Sequence, residues 1–313
     1  MEASTAAGAA PGAPSLGVAR RRWGETVIKA ALFLAALISI LTTTGIVVSL
    51  LGRTIDFFGE VGIGHYLFGT KWSPLFEPAS FGVLPLVSAT FVITGVALIV
   101  AVPLGLGSAI YLSEYARPRT RRVIKPIIEL LAGVPTIVFG FFALTFLTPE
   151  LLKGLLNMKV DVFNGLAAGI VMGFMIVPTI ASISEDSMSA VPQGLREGAF
   201  GLGASKLQVS LRVVFPAALS GIVASIVLGV SRAVGETMIV LVAAGQLANL
   251  TADVREPMAT MTAFIGATAK GDIATGSIEY KTIFAVGTTL FLITLLMNAI
   301  SIRFVRRYRQ VYE

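Results

Sequence analysis

The chain of 313 residues has no cysteine and a single histidine, His65. Without cysteine there is no disulfide framework and no thiol nucleophile, although nothing follows about the compartment. One histidine, placed between apolar runs, argues against a histidine-based metal site or a catalytic relay. Charge is also scarce. Charged residues make up 13% of the chain and hydrophobic ones 55%, with a mean hydropathy of +0.84. A soluble domain carries roughly a quarter charged residues, so that class is excluded. No Gly-rich loop ending in Lys-Ser/Thr occurs, so the chain does not itself cradle ATP. No residue is assigned a catalytic role.

What is present is a series of apolar runs. A membrane span needs about 20 such residues, and six candidates emerge at 27–51, 83–112, 127–147, 165–182, 219–244 and 282–302, the fourth being the shortest. Backbone groups in lipid must be satisfied internally, and these runs are too long and continuous for barrel strands, so they read as helices. The expected fold is an all-α integral membrane domain of six transmembrane helices over residues 23–313. Residues 1–22, rich in Ala, Gly, Pro and Ser and ending in Arg20, Arg21 and Arg22, read as a disordered cytoplasmic tail. The run at 27–51 is too long for a signal peptide and lacks a small-residue cleavage site, so it counts as the first span.

Basic residues orient the spans. The amino terminus, the segments between spans two and three and between four and five, and the carboxyl terminus together hold 16 Lys and Arg, including Arg117, Arg119, Arg121, Arg122, Lys125, Arg196, Lys206 and Arg212. The opposite side holds seven, and Arg232 lies inside a span. The positive-inside rule then puts both termini in the cytoplasm. The same bias accounts for most of the net charge of +6, so no nucleic-acid partner is implied.

Arg232 and Glu236 sit four residues apart inside the otherwise uncharged run 219–244. At 1.5 Å per residue Arg232 lies roughly 18 to 20 Å along the helix from either end, near mid-membrane. A charge there costs at least ~2.5 to 3.5 kcal/mol on insertion scales, so such residues face a partner or an aqueous path. The spacing suits an i, i+4 ion pair. Two readings stay open: a polar path, or an architectural pair holding helices together.

Several runs carry proline. Pro85 and Pro103 bracket the second, Pro126 and Pro135 the third, and Pro178 lies in the fourth; each removes a helix hydrogen bond. Thr136 and Thr179 follow prolines and either line a path or bond back to their own helices. Gly165, Gly169 and Gly173 repeat every fourth residue, a smooth stripe that admits a neighbouring helix. Glu185 and Asp186, where span four ends, face water or a basic neighbour.

Between spans four and five, at about 190–216, Glu197, Gly198 and Ala199 are followed by Gly203 and then by Val213, Phe215 and Pro216. Small residues beside a glutamate suit a short helix lying close against another surface. Gly203 permits a turn at little steric cost, and Pro216 suits the first turn of the next helix. The loop is built for docking.

This pattern resembles the EAA loop of bacterial ABC-importer permeases: Glu-Ala-Ala, three residues, Gly, nine residues, and an Ile-x-Leu-Pro-like ending. Gly198 replaces the first Ala, and Val213 and Phe215 replace Ile and Leu. The segment Ser231 to Val240, SRAVGETMIV, is similar to the Arg-Ala-x-Gly-Glu-Thr signature of phosphate-importer permeases. FGVLPLVSAT from Phe81, GVPTIVFG from Gly133 and MIVPTIASISEDSM from Met175 agree with it. Met238 directly after Glu-Thr, and the loop with Trp72 and Pro74, look like the C-type (PstC) subunit. The likeness runs from about Tyr66 to the carboxyl terminus.

The resemblance implies the type I importer (MetI-like) permease fold in a bacterial inner membrane. It implies an ATP-driven importer of inorganic phosphate working by alternating access. A paralogous PstA-like permease completes the pore, two PstB-like ATPases dock on the EAA loops, and an extracytoplasmic PstS-like protein delivers phosphate. ATP and magnesium belong to the ATPase, and this chain holds no cofactor; membrane lipid is its other neighbour. Glu197, Gly198, Ala199, Gly203 and Pro216 would couple to the ATPase, while Arg232, Glu236, Thr237, Thr136 and Thr179 would line the path. Arg232 offers planar donors that match phosphate oxygens bidentately. Glu236 can balance Arg232 and can accept the proton of hydrogenphosphate, whereas it repels sulfate. Rival readings are an importer of sulfate, molybdate or another oxyanion, and an ion-coupled transporter that needs no ATPase.

Overall fold

The computed structural model describes residues 23–271 and 273–308, with side chains described for 24–271 and 273–303. The expected tail 1–22 and the side chains of Arg306, Arg307 and Arg309 lie outside the described residues. By its internal contacts the chain divides between Ser49 and Leu50. The first unit contributes residues 23–49 of the long helix α1, Trp23–Glu60. Its side chains from Gly24 to Ile46 are exposed.

The second unit begins with the end of α1, a short helix α2 (Ile63–Phe68), and a two-stranded hairpin in which β1 (Trp72–Ser73) pairs antiparallel with β2 (Ser80–Phe81), Trp72 opposite Phe81. Helix α3 (Leu84–Ile110) continues through a π turn at Tyr111–Tyr115. It is followed by α4 (Pro118–Leu131), α5 (Thr136–Phe142) with a π continuation Ala143–Leu155, and α6 (Gly165–Ser189). Next come α7 (Gln193–Gly201), α8 (Lys206–Val209), a π turn Ser210–Val214, α9 (Phe215–Ala217), α10 (Leu219–Val234), α11 (Met238–Ala243), α12 (Met261–Ala269) and α13 (Ile278–Tyr308).

The glycine stripe does what its spacing requires. Helices α3 and α6 form the closest helix pair of this unit. A Cβ added at Gly169 would stand 2.6 Å from Val96 Cγ1, and one at Gly173 would stand 2.8 Å from the Ala97 carbonyl. Around this seam Ile93, Ala97, Met172, Met175, Ile176 and Ile180 are buried. Lipid supplies no hydrophobic drive between helices, so close backbone approach through small residues holds the pair.

Two expected spans differ in shape. The third starts at Thr136, not near residue 127, because Val134 and Pro135 leave the helix: Pro135 is extended at ψ 131, and the residue before a proline is pushed from the α region. Residues 118–131 instead form the separate amphipathic α4, none of whose residues is buried. The fifth is not one helix. It breaks at Gly235–Thr237 between α10 and α11, and at its other end Lys206–Ala217 meets Leu219–Val234 at 73°. The fourth, the shortest by composition, runs on to Ser189 and is the most enclosed of the candidate spans. Among the described residues, five helices are long and apolar enough to cross a membrane, or six when the bent pair counts as one.

Gly169→Leu should therefore separate α3 from α6 and cost about 3 kcal/mol or more, at or above the upper end of usual overpacking penalties. Gly95→Ala, where an added methyl meets nothing within 4 Å, should leave stability unchanged or slightly raised. Thermal unfolding of the two purified variants in detergent checks the contrast.

Candidate functional site

The broken span is held open by its own side chains. Helix α10 closes with Gly235 as its C-cap, and α11 starts afresh at Met238, which leaves N–H groups without helical partners. The Glu236 carboxylate supplies them: its Oε1 accepts from the Met238 N–H at 2.9 Å and the Ile239 N–H at 3.2 Å. The Glu236 carbonyl accepts from the Thr262 hydroxyl of α12 at 2.6 Å. That donation uses the one Thr262 proton, so Thr260 must donate to Thr262 across 3.1 Å. Thr260 in turn accepts from the Ala263 N–H at 3.1 Å, and Thr90 of α3 accepts from the Met261 N–H at 3.1 Å. Glu236 and all three threonines are buried. Thr260 and Thr262 carry no motif and Thr90 only ends the FGVLPLVSAT segment; their place opposite the break reveals what they do.

Arg232 lies in the last turn of α10, half-buried. Its Nη1 donates to the Thr179 hydroxyl of α6 at 3.3 Å. Among the described residues it makes no other hydrogen bond and no ion pair. The expected Arg232–Glu236 pair does not form, because the helix ends between them and the Glu236 carboxylate turns to α11. Glu236 Oε2 takes no partner but stays accessible, since the one fully buried side-chain polar atom left without a partner among the described residues is Trp72 Nε1. Thr237 is half-buried, its hydroxyl 3.4 Å from the Gly235 carbonyl and its methyl against Gly266 of α12. Thr136 opens α5, half-buried, and its hydroxyl makes no hydrogen bond among the described residues. Its helix meets α11 at Gly140, where an added Cβ would lie 3.0 Å from Val242 Cβ. Of the five path candidates the structure bonds Arg232 to Thr179 and leaves Thr136 apart.

The loop at 190–216 forms a second site. Glu197, Gly198 and Ala199 lie on α7; Glu197 is exposed and unbonded among the described residues. Gly203 adopts φ +81, a left-handed turn that costs glycine little. Ser205 and Gln208 close a capping box on α8, and Pro216 sits in α9. Phe200, Leu202 and Leu207 are exposed beside them.

The anchor of this loop is Arg196, next to Glu197 and buried. It donates to Glu114 at the end of the α3 π turn at 3.0 Å and to the carbonyls of Met188, at 2.8 Å, and Val191. Lys206 lies 4.9 Å over the Tyr115 ring. Glu185, fully buried at the end of α6, receives Arg121, Lys125 at 2.6 Å and Ser189 at 2.9 Å. Asp186 receives Lys125 at 2.5 Å. Burial alone would lower the Lys125 ammonium, but the hydrogen bonds with Asp186 and Glu185 outweigh it and hold the group above its ordinary range. For Glu185 and Asp186 the sequence left water or a basic neighbour open, and the structure supplies the basic one; the Arg196–Glu114 clamp, joining positions 82 residues apart, has no counterpart in the sequence reading.

Arg196→Ala should cost about 3–5 kcal/mol, the usual loss when one partner of a buried pair is removed. Glu197→Ala should stay within about 0.5 kcal/mol. Unfolding midpoints of the two adjacent variants would show the difference.

The model of a family described as "Binding-protein-dependent transport system inner membrane component" matches residues 101–310. A probable ABC transporter permease protein, YqgH of Bacillus subtilis (strain 168), is 34% identical over 86% of this chain and 88% of its own. The phosphate transport system permease protein PstC of Mesorhizobium japonicum is 33% identical over 85% of each. Among solved structures, a chain of a bacterial ABC transporter involved in the import of the acidic polysaccharide alginate superposes with a TM-score of 0.64, at 13% identity over 92% of this chain and all of that one. This likeness concerns the fold alone. The chain belongs to the binding-protein-dependent inner membrane components, as a PstC-type, multi-pass permease subunit of an ABC importer.

Proposed function

We propose that the cargo is inorganic phosphate and that it crosses the membrane past the broken span. The observation that carries this reading is the state of Arg232: a guanidinium near mid-span, bonded to one threonine, with no carboxylate neutralising it among the described residues. Phosphate presents paired oxygens that such a planar group grips bidentately. Thr179 holds the guanidinium from one side, while Thr237 and Thr136 offer hydroxyls farther along. Glu236 fixes the break through Oε1 and leaves Oε2 to accept the proton of hydrogenphosphate, a contact that repels sulfate. Several relatives at 30–34% identity carry the name of a phosphate transport system permease protein PstC.

The energy enters from the cytoplasmic side, where both termini lie by the distribution of basic residues. Two PstB-like ATPases grip the α7 faces of this chain and of a PstA-like paralogue; Glu197, Gly198 and Ala199 make the contact, with Gly203 and Pro216 shaping it. Nucleotide binding and release move α7. Arg196 passes the displacement to the ends of α3 and α6, and the 73° joint at Ala218 turns it into a tilt of α10. Arg232 then meets one side of the membrane and then the other. A PstS-like protein supplies phosphate from outside.

In the importer reconstituted with its partners, Arg232→Gln should lower phosphate uptake at least tenfold while assembly and the unfolding midpoint hold. Arg232→Lys should keep part of the activity, because it retains the charge without the fork. Arsenate should compete for uptake and sulfate should not. Loss of assembly in Arg232→Gln would assign the residue to architecture instead.

A further inference from the structure

Five basic residues, Arg117, Arg119, Arg121, Arg122 and Lys125, fall within nine positions around α4. Arg121 and Lys125 are engaged with Glu185 and Asp186. Arg117, Arg119 and Arg122 are exposed and make no hydrogen bond or ion pair among the described residues.

The topology fixes where this charge sits. Helix α4 has 14 residues, about 20 Å, too short to cross a bilayer. It joins the end of the span closing at Tyr115 to the start of the span opening at Thr136, so it lies along one membrane face. Tyr111 and Tyr115, exposed by 47% and 40%, mark that level, since tyrosines with an apolar body and a polar tip gather at the headgroups. One flank of α4, with Val123, Ile127 and Leu130 at i, i+4 and i+7, is exposed and apolar. A basic face beside an apolar flank is the pattern of a helix lying in the interface. Between α4 and the π turn is a cavity of about 580 Å³, lined by Arg121, Arg122 and Lys125 on one side and Leu112, Ser113 and Ala116 on the other. One carboxylate, Glu129, also lines it, seven residues beyond Arg122, and accepts from Ser182.

We propose that this groove seats the phosphate group of an anionic phospholipid, with Arg122 as its direct ligand and the apolar flank of α4 in the acyl region. Arg121 and Lys125 line the groove but stay ion-paired with Glu185 and Asp186 of α6, so Arg122 is its cation left free, among the described residues, to meet an anion. Inorganic phosphate shares the headgroup chemistry, but it would leave the apolar flank uncovered, and Arg122 and Pro126 of the groove each directly precede a flank residue, Val123 and Ile127.

The test uses the permease purified in its membrane complex and exchanged into nanodiscs of phosphatidylcholine with a minority of phosphatidylglycerol. Native mass spectrometry then counts retained lipid. Arg122→Gln should lower phosphatidylglycerol occupancy about fivefold, the effect of one basic residue at an anionic surface, with phosphatidylcholine unchanged. Arg122→Lys should restore it. Wild-type occupancy in Arg122→Gln would overturn the assignment. So would release of the lipid by millimolar inorganic phosphate, which would make the groove a soluble-anion site. The readout is a lipid count, so it stands apart from the identity of the cargo.

Discussion

Lipid cannot hydrogen-bond a peptide, and this requirement shapes the centre of the molecule. A helix broken between Val234 and Met238 exposes backbone groups that would each cost several kcal/mol in hydrocarbon. Glu236 takes two of the N–H groups through Oε1, and Thr262 serves the carbonyl. Thr260 and Thr90 then satisfy the start of α12, which is what brings Thr262 to the break. Each hydroxyl in this chain has one proton and one clear direction for it. The break is thus a bonded structure tied to α3 through Thr90 and to α12 through Thr262.

The same economy governs the helix ends beside the loop at 190–216. Helix α6 packs on α3 through bare glycines, and its last turns carry Glu185 and Asp186 into the grip of α4. Arg196 fastens α7 to the final carbonyls of α6 and to Glu114 beyond α3. The exposed side chains of this loop, Glu197 and the apolar Phe200 and Leu202, make no side-chain hydrogen bond or ion pair among the described residues. Force applied there reaches two spans directly. A loop attached by its backbone alone would deform before it transmitted anything.

How much of this could be read in the sequence follows from how far each interaction reaches along the chain. The apolar runs place the first, second, fourth and sixth spans because burial in lipid is a property of consecutive residues. The stripe at Gly165, Gly169 and Gly173 is legible because helical periodicity is local, and so is the turn at Gly203. Composition fails at the third span, where Ile127 to Leu131 are apolar enough to join it but Pro135 detaches them onto α4. It fails again at Glu236, since i, i+4 spacing implies an ion pair only if the helix continues between the two residues. Arg196 and Glu114, or Glu236 and Thr262, are remote in sequence, and no local pattern foretells their meeting.

The fate of Glu236 explains why Arg232 stands alone. An arginine and a glutamate on one continuous helix would neutralise each other, and an anion would then have to displace a carboxylate to be bound. Breaking the helix gives the carboxylate other work, as a cap with two backbone donors. Among the described residues the arginine keeps only Thr179, a neutral partner that orients it without cancelling its charge. A bare cation is costly in hydrocarbon, but Arg232 is half-buried and packed against α6, so its remaining donors open onto an accessible space. The phosphate proposed to bind there would meet a guanidinium whose charge no carboxylate among the described residues offsets, with Thr179 as its one neutral partner.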